Sequence, residues 1–134
     1  MNESDREVSR ILLNFETVIE DHTAYLNELE NLIVFPEPDI EKATRLIRKM
    51  RRVRRELSQG LDIITKNIDN VSDLKIKEEA LGLVNYLVIV GLKDEKDMLT
   101  TLNNYLKGKG IDLQLDKDIE QITSIINRIS HLNF

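Results

Sequence analysis

Apolar side chains along the first quarter of the chain recur with the pitch of an α-helix. Val8, Phe15, His22 and Leu29 repeat every seven residues, as do Ile11, Val18, Tyr25 and Leu32, and Leu12, Ile19, Leu26 and Ile33 widen the stripe. An i, i+3, i+4 pattern sustained this long predicts one amphipathic helix over about residues 4–34. Its start is signalled by Ser4-x-x-Glu7, the form of a capping box, and its end by Phe35-Pro36-Glu37-Pro38, where two prolines disfavour helix in the residues before them. Asp39 is a suitable N-cap for a second helix over 39–71, with Ile40, Ala43, Ile47, Met50, Leu57, Leu61, Ile64, Ile68 and Val71 on its apolar side. The connection is so short that the two helices must lie antiparallel, which brings His22 and Arg54 to about the same level. Gly60 costs that helix about 1 kcal/mol relative to Ala, a sign of close packing or a bend.

After Ser72-Asp73, either of which can cap, a third stripe runs through Ala80, Val84, Leu87, Leu99, Leu102 and Leu106. It stays in phase through the charged run 93–97, so one helix over 73–107 is expected, with a break near Gly91 as the alternative. Gly108 and Gly110 end it. Ile111 to Leu115 alternates apolar and polar but has no second strand to pair with, and reads as an extended link. Asp116 or Asp118 then caps a shorter helix over 117–132, carrying Ile119, Ile122, Ile125, Ile126, Ile129 and Leu132. The fold class expected is therefore all-α: a single domain over 1–134, an antiparallel bundle of three long helices with a shorter C-terminal fourth.

The third helix holds more apolar surface than its own stripe requires. Leu83, Tyr86, Ile89 and Val90 fall on a second face, and leaving them in water costs roughly 25 cal/mol per Å². Either the fourth helix or a second copy of the chain is expected to cover them. The run from Ala80 to Leu92 is shorter than the roughly 18 to 20 residues that cross a membrane, and no membrane role is expected.

Composition narrows the chemistry. The chain has no cysteine, which excludes disulfides, thiolate zinc sites and thiol nucleophiles, and suits a reducing, cytoplasmic setting. Its start has no basic-then-apolar signal pattern. A net charge of -5 argues against a general nucleic-acid coat. The second helix is locally opposite in sign, with Arg45, Arg48, Lys49, Arg51, Arg52 and Arg55 fanning out away from its core side. Arg48 with Arg52 and Arg51 with Arg55 are like-charge i, i+4 pairs that destabilise the helix by about 0.2 to 0.5 kcal/mol each, so negative charge must come from elsewhere. Phosphate of a nucleic acid is one source, since arginine forks match phosphate oxygens. Glu16, Glu20 and Glu30 of the first helix, or an acidic surface of a second subunit, are the other.

His22 and Arg54 form a candidate buried polar layer, with Glu95 the one acid on the third stripe and Asn85 the one strictly polar residue between Ala80 and Leu92. Single buried polar groups can set helix register or oligomeric state; edge positions reaching water are the plainer reading for Glu95 and Asn85. No Glu-x-x-His pair occurs, Lys107-Gly108-Lys109-Gly110 is not a complete phosphate loop, and no catalytic constellation emerges. No metal, cofactor or small-molecule substrate is expected. The expectation is a non-enzymatic interaction or assembly protein, self-associating or part of a larger complex, with nucleic-acid binding through the second helix as the alternative.

Overall fold

Asn2, not Ser4, caps the first helix. Its Oδ1 accepts the Asp5 amide at 2.7 Å and its own amide donates to Asp5 Oδ2 at 3.2 Å, so the reciprocal box is built two residues earlier than Ser4 and Glu7 suggest. Asp5 is free for this because its carboxylate faces the other end of the hairpin, where it also accepts the Ser72 amide (2.8 Å), the Ser72 hydroxyl (2.9 Å) and the Asp73 amide (3.2 Å). Burial pushes its carboxyl up, but these donors and the Asn2 amide outweigh it and hold the group below the ordinary carboxylate range. One aspartate thus pins the start of the chain to the second corner.

The computed structural model describes residues 1–132. Helix α1 spans Glu3–Ile33 and α2 spans Ile40–Asn67, with Asp39 Oδ1 accepting the Lys42 amide at 3.1 Å. A short 3-10 turn, Ile68–Asn70, ends the second rod, and Asp73 caps the third by accepting from Lys75 and Ile76. That rod has two α-helical halves, α3 (Leu74–Tyr86) and α4 (Leu92–Gly108), joined by a π-helical turn, Leu87–Gly91. The path is neither the plain continuous helix nor the break weighed for this stretch. The wide turn keeps the rod hydrogen-bonded, the Leu92 amide reaching Leu87 O, while one extra residue per turn shifts the phase so that Leu87, Gly91, Leu92 and Glu95 are all buried. The last helix, α5, spans Leu115–Ile129 and starts earlier than expected. Neither Asp116 nor Asp118 caps it. Gln114, in the left-handed region at φ 62°, precedes it without a side-chain cap, and Asp118 is left for a different role.

Helix α1 packs against α2 and both halves of the third rod, while α5 packs against α4 and α2. The described residues contain helices and turns only, so the fold is an all-α antiparallel bundle. Its core holds Phe15, Leu29, Met50, Leu57, Leu61 and Leu102 among its most deeply buried side chains. Gly60 sets the crossing of α1 and α2, since a Cβ there would lie 2.3 Å from the Phe15 ring. Among the described residues no helix is long and apolar enough to cross a membrane.

Candidate functional site

All four rods contribute to one buried polar layer. His22 comes from α1, Arg54 from α2, Glu95 from α4 and Asp118 from α5, and each is at most 4% exposed. Glu95 sits between two of them: its Oε1 is 2.8 Å from His22 Nε2, and its Oε2 accepts from Arg54 Nη2 at 2.7 Å and Arg54 Nε at 3.1 Å. A carboxylate can only accept, so Nε2 carries the imidazole proton. The other face of the Arg54 guanidinium donates through Nη1 to Asp118 Oδ1 at 2.7 Å and to Gln121 Oε1 at 3.1 Å. Asp118 in turn takes a two-pronged contact from Arg51, Nε to Oδ1 at 3.0 Å and Nη2 to Oδ2 at 2.8 Å, and Arg51 Nη2 also donates to Leu113 O at 2.8 Å.

Two guanidinium groups and two carboxylates alternate along this chain, so its formal charge cancels with His22 neutral. Burial raises the Asp118 carboxyl, but hydrogen bonds and charges from Arg51 and Arg54 more than reverse this and leave it below the ordinary range. The same contact with Asp118 raises Arg51. Removing one member of such a buried ion pair typically costs about 3 to 5 kcal/mol because the other charge is stranded. His22 Nδ1 is the loose end, buried without a hydrogen-bond partner among the described residues, beside the wide turn, where a Cβ on Gly91 would lie 3.7 Å from His22 Cε1. Both carboxylates are already engaged, Asp118 by Arg51 and Arg54, and Glu95 by Arg54 and His22. Among the described residues no group of three His, Cys, Asp or Glu side chains is placed to share a metal ion.

The sequence places His22 and Arg54 at one level, and the structure joins them through Glu95 rather than directly. Glu95 is wholly buried, not an edge position; Asn85 is exposed. Asp118 and Gln121 are the members that sequence reasoning missed. Asp118 carried a usable signal: it falls in phase with Ile122, Ile125 and Ile129 on the apolar side of α5, where an aspartate needs a cationic partner.

The cationic fan divides three ways. Arg51 leaves it, because its guanidinium is committed to Asp118; it is not a free anion contact. Arg45 pairs with Glu41 at 3.2 Å on the exposed surface, and Lys49 Nζ stands 6.0 Å from the Tyr25 ring centroid. Arg48, Arg52 and Arg55 form no ion pair among the described residues, and neither Glu16, Glu20 nor Glu30 reaches the fan. Two shallow hollows flank Arg51: one of about 280 Å³ beside Arg48 and Gln114, another of about 410 Å³ beside Arg55 and Lys117.

The second face of the third rod stays open. Leu83 is half-buried, but Tyr86 is 37% exposed, Val90 40% and Ile89 57%. Helix α5 touches the wide turn but leaves this face open, because the isoleucine stripe of α5 and its Asp118 anchor seat it mainly against α4 and α2. No protein-family model, no curated protein and no solved structure matches the chain.

Proposed function

We propose that this protein is a non-enzymatic assembly module that self-associates through the open turn of its third rod. The observation that supports this most is the cluster Tyr86, Ile89 and Val90, three exposed apolar side chains within five residues, in the middle of a rod and uncovered by the fourth helix. Among the described residues, the other exposed large apolar side chains lie at the chain start, at helix ends or corners (Met1, Val34, Phe35, Leu74), or singly (Leu13). Isolated apolar residues on a surface are ordinary, whereas grouped ones mark contact sites. The charge layer fits the same reading: it holds four rods in fixed relation and presents the face on a rigid support, and its carboxylates are neutralised rather than poised for proton transfer. A cytoplasmic setting accords with the cysteine-free composition.

Light scattering across a concentration series tests it. The wild-type chain is expected to rise from monomer to dimer mass, and Ile89→Glu to remain monomeric with an unchanged helical circular dichroism spectrum. A wild-type chain that is monomeric at every concentration removes the reading.

A second reading, polyanion binding along α2, is favoured by one observation: Arg48, Arg52 and Arg55 lack carboxylate partners among the described residues. They lie on successive turns, about 4.5 to 6 Å apart along the helix. Such a face binds phosphate backbones with little sequence selectivity and steep salt dependence. Retardation of DNA or RNA at low salt, lost in Arg52→Glu/Arg55→Glu, is the expected result; no retardation by the wild-type chain rules it out.

A further inference from the structure

We infer that the self-association surface is a two-fold antiparallel pairing of the third rod with the same rod of a second copy, with the axis passing through Tyr86. This rests on the assembly reading above and adds the partner and the register. In an antiparallel pair related by a two-fold axis at residue 86, positions whose numbers are equidistant from 86 lie level with one another. Ile89 then meets Leu83 of the second copy, Val90 meets Gly82, and Tyr86 meets itself. The same register sets Lys93 level with Glu79 and Asp97 level with Lys75. Every residue in that series is exposed except the half-buried Leu83, so the side chains that would meet are already on the surface.

Charge selects this arrangement over a parallel one. A parallel pair in register stacks Lys93 on Lys93 and Glu79 on Glu79, which is repulsive, while the antiparallel pair sets each against its opposite. Lys93 already bridges Asp97 of its own helix at 2.9 Å, so each end of the seam becomes a cluster of four alternating charges. Glu78 also comes level with Asp94, a like-charge pair at the flank; Asp94 is half-buried.

Gly82 supplies an independent argument. A glycine inside a helix costs about 1 kcal/mol relative to Ala. Gly60 and Gly91 have neighbours in the fold that a Cβ would meet, but among the described residues nothing beyond the adjoining backbone of its own helix lies within 4 Å of a Cβ placed on Gly82. Among the described residues nothing packs closely enough on that position to call for a glycine, and the approach of Val90 from a second rod does. With three exposed apolar residues per copy the contact belongs to the small class of interfaces, so the dimer is reversible and concentration-dependent.

The chain has no cysteine, so Tyr86→Cys carries a single thiol on the axis. Oxidation, or a short bifunctional maleimide, is expected to link Tyr86→Cys into a covalent dimer, while Glu120→Cys, exposed on α5, stays unlinked. Glu79→Lys and Lys93→Glu are each expected to weaken the dimer by roughly threefold to tenfold at low salt, since two symmetry-related exposed pairs are lost at once. The double variant restores the complementary pairs and the wild-type affinity. A dimer by light scattering that neither links through Tyr86→Cys nor recovers in the double charge swap overturns the register and leaves assembly through another contact; a chain that never dimerises overturns both.

Discussion

At the scale of single residues, Asp118 carries the most consequence for its size. It is buried, it engages two arginines, and with Gln121 it links α5 to the charged centre of the bundle. Its folded-state carboxyl titrates below the unfolded one, so its contribution to stability is complete above the unfolded value and is lost as pH falls through the folded value. Asp118→Asn is therefore expected to lower the urea midpoint at pH 7, where Arg51 and Arg54 lose their counter-charge. The gap to wild type should narrow as pH falls from the ordinary carboxylate range to below it, where first the unfolded and then the native carboxyl takes up its proton. A gap that stays constant across that range contradicts the assigned role. Which arginines would be committed was the least legible part of the sequence. A helical wheel separates Arg54 from the fan by angle, yet it also assigns Arg51 to solvent, because the partner that draws Arg51 inward arrives from 67 residues away on another helix. Asp118 was misread for the same reason: an aspartate near a helix start is the right residue type for a cap, and local pattern cannot reveal a distant guanidinium.

At the scale of elements, stripes of helical pitch located all four rods, because apolar periodicity is a local property that packing reinforces. Caps and phase shifts were read less well. Asn2 won over Ser4 through contacts with residues 70–73, and the wide turn at Leu87–Gly91 satisfies a packing demand around Glu95 that periodicity alone does not state. Gly60 was visible as an anomaly and its cause is now specific. The Phe15 ring lies where its side chain would be, so Gly60→Ala forces a rigid, buried ring to move. Overpacking of this kind typically costs about 1 to 3 kcal/mol, against which the better helix propensity of Ala returns about 1. The expected result is a lower midpoint in chemical denaturation, by up to about 2 kcal/mol on these figures. An unchanged or raised midpoint would mean that α1 and α2 do not cross as closely as described.

At the scale of the whole molecule, the rods follow one another around a square: α1 beside α2, α2 beside α5, α5 beside α4, and the third rod back beside α1. A charged layer at the middle of the square ties all four together, and that closure decides what is left outside. Because α5 is drawn inward by Asp118, it is unavailable to cover Tyr86, Ile89 and Val90, so the expectation of a fourth-helix cover gives way to an open face. From this follow both the proposed pairing and its place on the rod. Amide hydrogen exchange of the wild-type chain, followed from dilute to concentrated solution, tests that most directly. Added protection confined to about residues 79–93 as concentration rises is the result predicted; exchange in that segment that is indifferent to concentration, or protection appearing along α2 instead, would contradict it.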